Sequence, residues 1–474
     1  MTSGFKRVLL INPPESGQGA DTSAPMGLMF IAGVLQQNGI AVRIVDGCLD
    51  GFAEVMRVVA EFKPDLAGIA CPTYARVQSF KIARAIKEHD SSIITLFGGH
   101  HPTLLGQQVL ANYPFVDLIC IGEGEFVTLD LCQGLEWEKI SGLGFRRNGA
   151  VMISPRRPDI TDLDRLPLPA WDLIDPMRYR SNGDIVIDGI DLSKEVGATI
   201  SFSRGCIGRC NFCSQMWKKW KYRSPQRIME EIELLHRRHG IRCFHFNDDC
   251  FSVKKEVTLE LCRLICERKW KIYFSIVTRA DCVDEDILRA LKEAGCYSIA
   301  FGIETASPRL LKVMHKTIKP EQSLRAIQLT NAFGIRSLAL VIAGAVGETW
   351  ESINETIDFL NAAKPALIGV ANGLMLFPGT EVYEAAKARG FIDDDFWLTN
   401  YNWKIYTAEN SRLMLNIFAE AIHHRQKLSR FRLVNMIRYH RFVSREVGIV
   451  LKQLFVNLRL VRERSNKDKP FILR

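Results

Sequence analysis

The chain has 474 residues, of which 47% are hydrophobic and 24% charged. That is too long for one ordinary core and too apolar for a disordered polymer, so two folded domains plus an appendage are expected. The net charge of +9 sits in the tail: Arg425 to Arg474 holds 14 Lys and Arg against 3 Asp and Glu, leaving the rest near −2.

Met1 to Arg7 leads directly into strand-like Val8-Leu9-Leu10-Ile11 rather than a secretory apolar region, and no stretch approaches the ~18 consecutive apolar residues of a membrane span. A cytoplasmic protein is expected. Thirteen cysteines, an odd count in a reducing compartment, argue against a disulfide framework. Most, such as Cys71, Cys120, Cys262 and Cys296, read as small buried hydrophobes.

Up to about residue 145, short apolar strands alternate with helices. Strands are expected at Val8–Asn12, Ala41–Asp46, Leu66–Cys71, Ile93–Phe97 and Leu118–Ile121, and helices at Gly27–Asn38, Phe52–Lys63, Phe80–His89 and Gln107–Tyr113. This spacing predicts a doubly wound α/β domain whose ligand lies outside the carboxyl ends of the strands. The loops expected there include Asp46-Gly47-Cys48-Leu49-Asp50-Gly51, Cys71-Pro72-Thr73-Tyr74, Gly98-Gly99-His100-His101-Pro102-Thr103 and Gly122-Glu123-Gly124-Glu125. Their glycines let a bulky ligand approach the backbone.

A Pro- and Asp-rich stretch over 146–191 reads as a linker. From 192 to 410, strands are expected at Ala198–Ser203, Cys243–Asn247, Tyr273–Val277, Ser298–Ile303, Ser337–Ile342 and Leu367–Leu376, separated by helices such as Pro225–His239 and Glu285–Ala294. Six such repeats predict a partial (β/α)6 barrel of TIM type.

Cys206, Cys210 and Cys213 form a CxxxCxxC loop just after the first of these strands. Three thiolates can hold three irons of a [4Fe–4S] cube and leave the fourth iron open. A structural zinc site is the alternative, with Cys243, Cys250 or His236 as a fourth ligand. The loop, with Phe212 before its last cysteine, resembles the cluster loop of the radical SAM superfamily, in which the open iron chelates S-adenosylmethionine (SAM) for reductive cleavage to a 5′-deoxyadenosyl radical. Asn247, Asp248 and Asp249 resemble that family's SAM amino-group segment, although Asp248 or Asp249 is equally suited to a helix cap. Arg279 suits the methionine carboxylate by charge-assisted hydrogen bonding. Glu304 and Thr305 follow another strand in a further SAM-contact segment, with structural ion pairs as the alternative for Arg279 and Glu304. Gly344-Ala345-Val346-Gly347-Glu348-Thr349 resembles the family's GxPGET turn with Val346 in place of proline, and Phe377-Pro378-Gly379-Thr380 its PGT segment.

The first 145 residues resemble the cobalamin-binding domain of B12-dependent radical SAM proteins. That resemblance assigns Thr73, Gly98, Gly99 and His101 to cofactor contact. Histidine-ligating cobalamin domains carry a DxHxxG loop; here Cys48 occupies the histidine position, so cobalt is expected to lack a histidine ligand from this loop.

The resemblance as a whole implies a cobalamin-dependent radical SAM methyltransferase that transfers a methyl radical from methylcobalamin to an unactivated carbon, or phosphorus, of a small molecule. An oxidative cyclase or a rearrangement enzyme, and a sensor without turnover, are the alternatives. A flavodoxin- or ferredoxin-type electron donor is implied; nucleic acid is not expected as a partner. Residues 411–474 read as a basic helical region, compatible with packing on the barrel or with peripheral membrane contact.

Overall fold

In a computed structural model, residues 4–14, 23–181, 183, 185–217, 219–399 and 404–427 are described. The basic segment from 428 onward, and with it the tail's membrane reading, lies outside them. Among the described residues, no helix is long and apolar enough to cross a membrane.

The first sheet contains β1 (Arg7–Asn12), β2 (Ala41–Asp46), β3 (Leu66–Ala70), β4 (Ile94–Gly98), β5 (Leu118–Cys120), β6 (Leu143–Arg147) and β7 (Ala150–Ile153). They lie in the order β2-β1-β3-β4-β5-β6-β7. The first five pair in parallel and the last two antiparallel. Val8 to Ile11 are almost wholly buried, as expected of a strand covered by helices on both faces. The order 2-1-3-4-5 is that of flavodoxin-like folds.

This sheet runs past the expected boundary at residue 145, to Ile153. The polar turn Arg147-Asn148-Gly149 belongs to an exposed edge hairpin, whose sequence carries only a weak apolar signal.

The intervening helices start earlier than their apolar periodicity suggests. Helix α1 spans Met26–Gln37, α2 Gly47–Phe62, α3 Arg76–His89, α4 His100–Asn112 and α5 Glu125–Cys132. The Asp46–Gly51 segment is therefore the first turn of α2, capped by the Asp46 carboxylate and kinked at Gly51, where φ is 77°. Likewise His100 and His101 begin α4 rather than extending a loop.

The second sheet is all parallel: β8 (Gly197–Ile200), β9 (Cys243–Phe246), β10 (Tyr273–Thr278), β11 (Cys296–Glu304), β12 (Arg336–Ala343) and β13 (Leu367–Asn372), paired in that order. The first and last strands do not pair, so the barrel is open. Helix Arg412–His423 covers the β13 side with buried Leu415, Phe418 and Ile422.

The two halves are locked together. Arg76 is buried; its Nε donates to the Trp397 carbonyl at 2.8 Å, and its guanidinium stacks over that indole at 4.8 Å. Gln108 donates to Asp394 at 3.0 Å.

Candidate functional site

The carboxyl edges of the two sheets face each other across one cleft of about 490 Å3. One wall comes from the ends of β1, β3, β4 and β5, including Asn12, Cys71, Gly98, Gly99 and Gly122. The other comes from Ser201, Ser203, Arg204, Trp217, Asn247 and Asp249.

Part of the first wall is open glycine backbone. A Cβ built on Gly27 would meet nothing within 4 Å, and one on Gly98 would meet only Cys120 Cβ at 4.0 Å, so any side chain there would project into open cleft. Gly99 (φ 105°, ψ −166°) occupies a conformation restricted almost to glycine and leads into α4. The open glycine backbone at these strand ends suits a large planar ligand such as a corrin, which needs close approach.

The cluster loop is shaped by two other glycines. At Gly205 (φ 87°) a Cβ would lie 2.7 Å from the Lys219 carbonyl oxygen. At Gly208 it would lie 2.8 Å from the Arg279 guanidinium and 3.5 Å from Cys206 Sγ. The Gly208 N–H donates to Cys206 Sγ at 3.3 Å, and Gln215 Nε2 donates to the Gly208 carbonyl at 2.9 Å. Phe212 packs against the cluster of Leu310, Met314, Tyr383 and Trp397, anchoring the loop to the barrel.

Burial raises the thiols of Cys210 and Cys213, the latter to about 12, and hydrogen bonding to Cys250 followed by burial raises Cys206. Cys210 feels the charge of Cys206, and Cys213 those of Cys210 and Cys206, with Lys316 and Arg279 opposing the rise at Cys210. Bound iron would hold all three as thiolates. Among the described residues no three His, Cys, Asp or Glu side chains converge on one ion. His236 packs on Trp270 with Nδ1 engaged by the Ile241 carbonyl at 2.9 Å, and Cys243 begins β9 beside Ser181 and Gly197, whereas Cys250 lies within hydrogen-bond reach of Cys206.

The other expected residues separate into two groups. Asn247 and Asp249 line the cleft, with the Asp249 carboxylate facing His100. Burial holds His100 below its ordinary value despite that neighbour. Arg279 leans on the cluster loop while two of its nitrogens bind Asp281 at 2.9 and 2.6 Å. Glu304, at a positive φ of 65°, pairs with Lys316 at 3.2 Å.

Asp248, Thr305, Thr73 and His101 do not line the cleft. Asp248 is buried, accepting from the Ser203 backbone N–H and from Ser203 Oγ at 2.7 Å, and burial pushes it up to about 7. Neither Asp248 nor Asp249 caps a helix, because the next helix, Lys255–Glu267, follows Lys254. Thr305 Oγ1 bonds Thr356 at 3.1 Å, and the Thr73 carbonyl accepts from Arg76 at 2.7 Å.

His101 is fully buried edge-on to Phe80, with neither ring nitrogen hydrogen-bonded, and burial drives it down to about 3. On α4 it points one helical step away from His100, into the core. Cys48 is likewise absent from the cleft; its thiol donates to the Pro13 carbonyl at 3.2 Å. Tyr179 and Arg178 of the linker bind Asp46 and Asp50 at 2.9 and 2.7 Å, closing over this segment.

One feature of the site was unforeseen. Arg204 donates to Glu123 and Glu125, both at 2.6 Å, while Lys221 and Trp217 add bonds to Glu123 at 2.9 and 3.1 Å. Although burial pushes Glu123 up, the Arg204 charge together with hydrogen bonds from the Ile160 N–H, Lys221 and Arg204 holds the carboxyl below its usual range. The Gly-Glu-Gly-Glu turn is thus tied to the residue two places before Cys206. Two acidic residues framed by glycines were a visible signal; their basic partners, some 80 residues away, were not.

The Gly344–Thr349 and Phe377–Thr380 segments serve the fold. Thr349 and Thr380 cap helices Trp350–Ala363 and Glu381–Ala388, and Glu348 accepts from Ser352 and the Gly344 N–H.

Residues 200–360 match the model of the radical SAM superfamily, and residues 20–130 that of the B12 binding domain. An uncharacterized methyltransferase of Pyrococcus horikoshii is 31% identical, covering 87% of this chain and 88% of its own. The anaerobic magnesium-protoporphyrin IX monomethyl ester cyclase of Rubrivivax gelatinosus is 30% identical, covering 78% of this chain and 68% of its own. TsrM, a radical SAM methyltransferase from Kitasatospora setae solved with cobalamin and a [4Fe–4S] cluster, superimposes with a TM-score of 0.66 at 19% identity, covering 81% of this chain and 75% of its own. The chain belongs to the B12-binding radical SAM family. Its cofactors are accordingly a [4Fe–4S] cluster, SAM and cobalamin.

Proposed function

We propose that this enzyme methylates an unactivated carbon, or phosphorus, of a small molecule. When bound, the cluster would supply the electron that cleaves SAM, and cobalamin would carry the methyl group. The observation that carries this reading is the single cleft lined from one side by the glycine platform and from the other by the barrel residues next to the cluster loop. A methyltransferase relative aligned over both halves of the chain supports it.

In this reading Cys206, Cys210 and Cys213 ligate the cluster, and Gly98 and Gly99 receive the corrin. Asn247 and Asp249 accept from the SAM ammonium. Arg279, with two nitrogens held by Asp281 and the third against Gly208 of the cluster loop, would hold the SAM carboxylate by charge-assisted hydrogen bonding. Lys316 restrains Glu304 beside the same loop. The residues thereby orient SAM against the corrin face and exclude water from the reacting atoms. A low-potential donor of flavodoxin or ferredoxin type and a cytoplasmic setting complete the reading.

The cyclase relative makes oxidative cyclisation the second reading. Anaerobic reaction of the reconstituted enzyme with SAM bearing a deuterated methyl group separates the two by mass spectrometry. Methyl transfer yields labelled methylcobalamin together with 5′-deoxyadenosine, whereas 5′-deoxyadenosine with unlabelled cobalamin overturns it in favour of cyclisation.

A further inference from the structure

Reductive cleavage of SAM needs one electron per event, and that electron must reach the cluster from outside. On the barrel's outer surface, a second groove of about 600 Å3 runs along the back of the cluster loop. Its lining includes Arg209, Lys312, His315 and Lys319, with Glu381 as its carboxylate.

The groove is tied directly to the loop. Arg209 adjoins Cys210 in the chain, so their Cα atoms are about 3.8 Å apart. The Asn211 N–H donates to the Met314 carbonyl at 3.1 Å, and its side-chain amide to the Val313 carbonyl at 2.7 Å. Arg209, Lys312 and Lys319 are exposed and form no ion pair among the described residues, while Glu381 lies against His315 at 3.4 Å. Ile207 and Val313 are also exposed, 50% and 38%, supplying apolar surface beside the basic rim. The chain's own basic tail is a poor occupant, because it carries the same sign of charge.

We infer that this groove docks a small acidic electron-transfer protein of the flavodoxin type. The inference rests on the proposed radical chemistry. One electron leaves the donor's reduced flavin and enters the cluster, so that the flavin is oxidised and the cluster reduced by one electron each. Positive charge steers the acidic donor, and the apolar lining of Pro308, Leu311, Ile318 and Pro320 holds it within a short reach of the cluster loop.

The test compares reconstituted wild-type enzyme with the Lys312→Glu/Lys319→Glu variant, titrating each with purified flavodoxin at ~50 mM and ~500 mM salt. The double variant should bind about tenfold more weakly at low salt, with the difference shrinking at high salt. 5′-Deoxyadenosine formation driven by dithionite should stay unchanged, while that driven by flavodoxin should fall. Equal affinity of the two proteins, or wild-type binding of a short oligonucleotide in place of flavodoxin, would overturn the docking surface. Absence of 5′-deoxyadenosine from both proteins with dithionite would instead overturn the proposed function and leave the affinities to decide the docking surface.

Discussion

The two walls of the cleft are built in opposite ways. The wall on the first domain combines open backbone at Gly98, Gly99 and Gly122 with apolar side chains such as Met26, Leu28 and Phe30. The barrel wall is more polar: Arg204 reaches across to Glu123 and Glu125, Asn247 and Asp249 line the cleft, and around the cluster loop Arg279 is committed to Asp281 and Lys316 to Glu304. A large ligand with a broad face is met by open backbone. In the proposed reading a small zwitterion would meet charges whose positions are fixed before it arrives.

That contrast predicts separable defects. The largest effect belongs to the cluster loop: Cys206→Ala, Cys210→Ala or Cys213→Ala should reduce iron and sulfide after reconstitution to background and abolish 5′-deoxyadenosine formation, while cobalamin binding, followed by absorbance, persists. Loss of cobalamin binding with the cluster would show that the walls are not independent.

Arg204→Ala attacks the clamp joining them. It leaves two buried carboxylates without their main partner, a change that costs about 3–5 kcal/mol, read as a lower urea midpoint of the apoprotein. An unchanged midpoint would mean that Lys221 alone satisfies the pair.

Asp248→Asn tests a buried acid outside the cleft. The native carboxyl, raised to about 7 from 3.8, keeps its proton after the unfolded chain has lost it, so stability should fall as pH rises from about 4 to 7 and then level off. The variant, which can still accept from Ser203, should flatten that slope by roughly 1 kcal/mol per pH unit, as followed by urea unfolding across this range. An identical slope in both proteins would assign the pH dependence to other groups.

Gly99→Ala should have the smallest effect. The glycine-only backbone costs alanine about 1–3 kcal/mol, so cobalamin should bind about tenfold more weakly while iron content is unchanged.

The same contrast decides what could be read without coordinates. Strand ends, glycines and the three cysteines are local features, and strand alternation with CxxxCxxC spacing made the two sheets and the cluster loop legible. Which face a helical residue takes is set by where the helix begins. Starting α4 at His100 turned His101 into the core and left His100 on the cleft, and starting α2 at Gly47 removed Cys48 from it. Ion-pair partners were invisible for a different reason: Arg204 and its carboxylates meet only because the two domains pack edge to edge.

The most direct measurement of whether both cofactors share this cleft is an anaerobic crystal structure of the protein reconstituted with cluster, cobalamin and SAM. Corrin density over Gly98 and Gly99, facing SAM held near Asn247 and Asp249, is the predicted result. Corrin density elsewhere on the first domain, with the cleft filled by solvent, would contradict it.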